Sequence, residues 1–235
     1  MRIGCRRLER SNPGLAELRE RNRAEGFARM REIGADSPAD VIRMLGDRSA
    51  PREERIAAAL VLELLRCRDA TEELIEALDE GELMLSNVCG RALGAIGSRR
   101  KSRRLISIVC GRGPAPARRE ALYALWWLRE ERAEQLFIRI SRAVETEDEF
   151  MRGIATEALG GTSQRLRSQR AIRDRLFDPS VSVRYSALCA CSLMPRHRVP
   201  EFLHEALAAK LADPDKVDDT RVIAELAGEL VEAFR

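Results

Sequence analysis

Histidine is nearly absent: His197 and His204 are the only two in 235 residues. The six cysteines (Cys5, Cys67, Cys89, Cys110, Cys189, Cys191) contain no Cys-x-x-Cys pair. No ligand set with zinc spacing and no disulfide framework can be built from these. We therefore expect no metal, no cofactor, and reduced cysteines packed as small apolar residues. Aromatic residues make up only 4% of the chain, so Ala and Leu must fill the core. No apolar run approaches the ~18 residues that suggest a membrane span. Arg2, Arg6, Arg7 and Arg10 precede no apolar stretch, unlike a signal peptide. A cytoplasmic protein without a membrane partner is the expectation. Strand-type alternation and Asn-Gly hairpin signals are missing too. So are Gly-x-x-x-x-Gly-Lys, Gly-x-Gly-x-x-Gly, His-Glu-x-x-His and Gly-x-Ser-x-Gly. No catalytic residue can be nominated.

Lysine is scarce as well: Lys101, Lys210 and Lys216 are the only lysines among 41 cationic residues. Coding bias in a GC-rich genome would produce this, and so would selection for bidentate phosphate or carboxylate contacts. The net charge of only +3 excludes a histone-like polycation, although charged residues reach 34%. Such a fraction suits an elongated helical chain with much exposed surface.

What is abundant is a pattern. Asp178-Pro-Ser-Val-Ser-Val-Arg-Tyr-Ser-Ala-Leu-Cys-Ala-Cys-Ser-Leu193 places an Asp in a turn, an Arg at the start of a helix, and small or apolar residues behind it. Aligning the Arg gives Arg55, Ser86, Arg118, Arg152, Arg184 and Arg221, at spacings of 31, 32, 34, 32 and 37. Three residues later stand Ala58, Cys89, Ala121, Ala155, Ala187 and Ala224; seven later stand Leu62, Leu93, Leu125, Leu159, Cys191 and Gly228. Between these long B helices lie short A helices with Leu-Ile stripes, at about 70–79, 100–110, 132–144, 164–177 and 199–211. Neither helix buries its stripe alone, so stacked pairs share one core. The expected fold is an all-α solenoid of about six two-helix repeats. Its parts are a basic segment and cap helix at 1–36, with Asn12 capping the helix, an array at 37–212, and a C-terminal capping helix at 213–235.

The units resemble HEAT repeats, specifically the short type of the phycobilisome chromophore lyases, whose pattern runs Asp-x-x-x-x-Val-Arg-x-x-Ala-x-x-x-Leu-Gly. Asp178, Val183, Arg184 and Ala187 match it, as do Arg152, Ala155, Leu159 and Gly160, and Leu93 with Gly94. The resemblance covers about residues 38–235. It implies a hydrogen-bonded ladder between repeats, made by the turn Asp and the B-helix Arg and carried here by Asp47/Arg55, Asp178/Arg184 and Asp215/Arg221. Ser86 and the Gly111–Pro116 turn interrupt it, which predicts a bend or looser packing there. It also implies that B helices line a concave face. The shared repeat does not establish lyase activity. HEAT-like DNA glycosylases are an enzyme branch of this architecture, but Tyr123, Trp127 and Glu157 match no motif of theirs residue by residue.

Two surfaces stand out. Residues one, five and nine after the Arg position rotate away from the core stripe. They put Arg91, Arg119, Tyr123, Trp127, Glu157 and Tyr185 on the concave face, a composition suited to binding a protein or peptide segment. Trp126 stands where other copies have Gly and is expected to pack. Along one edge, the turns after B helices are basic: Arg99, Arg100, Lys101, Arg103 and Arg104, then Arg165, Arg167 and Arg170, then Arg196 and Arg198. The opposite turns are mostly acidic. Dipole complementation explains one or two charges per turn. Five in six residues at Arg99–Arg104 invite the alternative that a basic edge meets nucleic-acid phosphates. The leading expectation is a non-enzymatic interaction scaffold.

Overall fold

The computed structural model describes residues 13–97, 101–145, 147–162, 165–215 and 222–234. Asn12, Arg99, Arg100 and Arg221 lie outside them. Among the described residues there are thirteen α-helices, four short 3-10 turns and no strand. None of these helices is long and apolar enough to cross a membrane. The chain divides into two compact units, residues 1–128 and 129–235.

The first unit opens with α1 (Pro13–Glu32) and continues with the pairs α2 (Pro38–Gly46) and α3 (Arg52–Leu65), α4 (Thr71–Asp79) and α5 (Leu83–Ile96), α6 (Ser102–Cys110) and α7 (Ala115–Trp127). The second holds α8 (Glu134–Arg142) and α9 (Glu149–Thr162), α10 (Leu166–Arg175) and α11 (Val181–Ser192), α12 (Glu201–Ala209) and α13 (Ile223–Phe234). Short A helices thus alternate with longer B helices, as the period requires.

The core is the stripe the alignment marks. Ala58, Cys89, Ala121, Ala155 and Ala187 are fully buried, and Leu62, Leu93, Leu125, Leu159 and Cys191 lie beside them. Leu74, Ile75 and Leu78 of α4 and Phe137 of α8 close it from the A-helix side. Small residues at the B-helix contacts let backbones approach. A Cβ on Gly160 would fall on the Ala190 carbonyl of α11, and one on Gly94 would sit 2.8 Å from the Trp127 Cβ of α7. B helices end in a left-handed residue at one repeat position: Arg66 (φ 50°), Gly97 (φ 69°) and Arg129 (φ 48°). Gly suits this cap, whereas the two Arg copies tolerate it at a cost.

The Arg position does two jobs. First, it holds the end of its own A helix or the turn that follows. Arg55 Nε donates to the Leu45 carbonyl (2.9 Å), Arg118 Nε to Val109 (3.1 Å), Arg152 Nη1 to Glu147 (2.8 Å) and Arg184 Nη1 to Asp178 (2.9 Å). Ser86 keeps this job with its hydroxyl, which donates to Leu78 at 2.8 Å. Second, the guanidinium reaches forward to an acid of the next repeat. Arg55 pairs with Glu80 (2.7 Å), Arg152 with Asp178 (3.0 Å), and Arg184 with Asp213 (3.1 Å) and Asp215. The expected pairs Asp47/Arg55 and Asp178/Arg184 are therefore not side-chain pairs. Asp47 turns to its own loop and accepts from the Ser49 amide (2.9 Å) and hydroxyl (2.6 Å). Asp178 offers Arg184 its carbonyl and spends its carboxylate on Arg152 and Arg175. The Gly111–Pro116 turn is not loose either: the Pro114 ring lies directly against Gly81 of the preceding turn.

Candidate functional site

In the first unit, the residues set off from the stripe form a half-buried polar and aromatic strip on α3, α5 and α7. Arg91 is exposed, and its Nη2 donates to Glu63 Oε2 at 2.7 Å. Asn87 Nδ2 donates to Glu120 Oε1 at 3.1 Å. Burial pushes the Glu120 carboxyl up, and Asn87, Arg119 and Arg91 oppose that shift. Arg119 is half-buried beside it. One step along α7, Tyr123, Trp126 and Trp127 form a triangle of tilted and edge-on rings, with centroids 5.2, 5.9 and 5.3 Å apart. All three are half-buried. Trp127 is the ring seated on Gly94, while Trp126 packs against both neighbouring rings. Glu63 and Glu120 belong to this strip and were missed from sequence. Each lies one helix position away from the one-five-nine series that located the rest.

In the second unit, Glu157 of α9 and Tyr185 and Cys189 of α11 occupy the same repeat positions and are half-buried. Burial pushes the Glu157 carboxyl up. Cys191, one residue past Cys189, is buried, with its thiol pushed up to about 12 by desolvation. It behaves as a packing residue, not a nucleophile. Among the described residues no group of His, Cys, Asp and Glu could hold a metal ion.

Part of the basic edge is tied down by carboxylates of the preceding A helix. In the first unit, Lys101 pairs with Glu72 at 2.7 Å, and Arg104 reaches Glu72 and, at 3.7 Å, Glu76. Arg103 is exposed. In the second unit, the buried Glu134 accepts from Arg165 (2.7 Å), from Arg167 and from the Ser168 hydroxyl (2.6 Å). Glu134 holds the Arg167 guanidinium above its ordinary range. Arg170, Arg196 and Arg198 are exposed, with Arg196 Nε donating to the Phe234 carbonyl at 3.1 Å. The Arg198 carbonyl accepts from Gln169 at 2.9 Å. The signal for these staples is the separation between Glu and Arg, close to one repeat length, which a search for local charge runs overlooks.

No family model and no curated protein matches the chain. Solved structures do. The complex of CpcE and CpcF of phycocyanin lyase from Nostoc sp. PCC7120 aligns with a TM-score of 0.50 and 18% identity over 96% of this chain and 91% of that one. A designed armadillo repeat protein in complex with the peptide (KR)4 aligns with a TM-score of 0.51 and 14% identity over 86% of this chain and 100% of that one. With its alternating A and B helices, its buried stripe and its Arg ladder, this chain has the all-α, HEAT-like repeat solenoid fold that it shares with these structures.

Proposed function

We propose that the protein is a non-enzymatic interaction scaffold that binds a segment of another protein along its B-helix strips. One observation carries this reading: Tyr123, Trp126 and Trp127 cluster half-buried on α7, one turn from Arg119 and Glu120. Rigid aromatics beside charged groups held in fixed geometry bind with little loss of side-chain entropy. Arg91, Arg119, Tyr123 and Trp127 are the contact residues of the first unit, and Glu157 and Tyr185 those of the second. The structural neighbours support the class of function, since one of them holds a peptide and the other a second protein chain.

The test is affinity capture from cell extract with the wild-type protein, Y123A/W127A and R91E. Trp127 also packs on Gly94, so each variant is first checked for an unchanged thermal midpoint; R91E, at an exposed position, serves if the aromatic variant unfolds. Proteins captured by the wild type and lost from the variants are expected. Retention of every partner by both folded variants would overturn the proposed strip.

A further inference from the structure

The second unit carries a different surface on its A-to-B turns. Val144, Phe150, Phe177 and Leu211 are 41%, 49%, 53% and 48% exposed. Large apolar side chains are rarely left this open in a row without a use. Val144, Phe177 and Leu211 fall 33 and 34 residues apart, so one sits at the same place in each successive repeat. The turns that hold them are fastened together. Arg142 pairs with Asp174 at 3.3 Å, Arg152 with Asp178 at 3.0 Å, and the Ser180 hydroxyl donates to Glu149 at 2.5 Å. Lys210 lies over the Phe177 ring at 4.5 Å and pairs with Asp213 at 3.0 Å, which places the turn that carries Leu211 beside Phe177.

Among the described residues, exposed acids outnumber exposed bases at these turns. Arg152 and Arg184 are buried in the ladder, Arg175 is turned onto Asp178, Lys210 is held by Asp213, and the open Arg142 and Arg173 both sit on Asp174. Glu145, Asp148 and Glu149 are exposed, and so is Asp215, which Arg184 holds. Neighbouring repeats in a helical stack lie ~8–10 Å apart. On an α-helix, residues i and i+7 are separated by about 10.5 Å along the axis and share a face. We propose that this edge docks a basic amphipathic helix of a partner protein, with one apolar side chain per seven residues meeting Val144, Phe177 and Leu211 in turn. Its Lys and Arg residues, flanking that face, meet the acidic turns.

The probe is a labelled synthetic helix of about 18 residues, long enough for three apolar positions seven apart, with Lys and Arg on the flanks. Fluorescence anisotropy is read with wild type, F177K, F177S and Y123A/W127A. Saturable binding to wild type is expected, weakened at least about tenfold in F177K and by less in F177S, and unchanged in Y123A/W127A. A peptide with the cations exchanged for Glu is expected not to bind. Failure of the cationic peptide to bind, or equal binding by F177K and F177S, would overturn the proposal without touching the B-helix strip. So would equal binding of the acidic peptide. Concentration-dependent dimerisation of the wild type that F177K abolishes would assign the edge to a second copy instead, and would also overturn it.

Discussion

Asp178 is the residue on which the second unit's ladder turns. Its carboxylate is fully buried and accepts from Arg152 (3.0 Å) and Arg175 (2.9 Å), while its carbonyl holds Arg184. Removing it strands a guanidinium that is only 7% exposed. D178A should therefore lose about 3–5 kcal/mol in urea unfolding, far beyond an exposed pair. A loss near that of a surface ion pair would show that the ladder relaxes around the gap. Glu157 makes the opposite case. Its folded pKa is raised above the ordinary 4.5 by burial, so the ionised form is penalised in the native state. That penalty is absent below about pH 4.5, grows as pH rises through the folded pKa, and is complete above it. E157Q should melt higher than wild type at pH 7, with the difference closing toward pH 4; an unchanged difference across this range would contradict the assignment. The Asp-and-Arg motif was legible in the residues, but its pairing was not. A guanidinium at a B-helix start reaches the next repeat as readily as its own turn, and only coordinates decide between them.

At the scale of helices, close approach sets the rules. Ala is the better helix former by about 1 kcal/mol, yet a Cβ at Gly94 would lie 2.8 Å from the Trp127 Cβ. G94A should cost about 1–3 kcal/mol by overpacking. In a W127G background, which removes that Cβ, the same substitution should become neutral or stabilising, and a thermal double-mutant cycle reads the coupling. Equal effects in both backgrounds would show that the two residues do not meet in solution. Helix boundaries followed from the apolar period, with α4, α6, α8, α10 and α12 each found within a few residues of expectation. The aromatic triangle was less legible. Sequence assigned packing to Trp126 because it replaces a Gly, but Trp127 is the ring lying on a neighbouring helix's Gly. Rotation about a helix axis is known from sequence only to within a residue's turn, and that margin separates the two indoles.

For the molecule as a whole, the charge map changed meaning. Lys101, Arg104, Arg165 and Arg167 contact Glu72 or Glu134, so much of the described basic edge is already paired. Fluorescence titration with duplex DNA at ~50 mM salt should show no saturable binding; tight binding that falls steeply by ~200 mM would restore the phosphate-contact reading. Composition, the 31-to-37-residue period and the small-residue positions determined an all-α repeat fold with its core stripe, because burial of a periodic apolar face depends on the order of residues along one chain. The partners of Arg55, Arg152 and Arg184, the staples at Glu72 and Glu134, and the excess of exposed acids around Val144 and Phe177 were decided only by tertiary structure. They join residues about a repeat apart, and which charges meet depends on the rotation and rise of each repeat on the next, which no local pattern encodes.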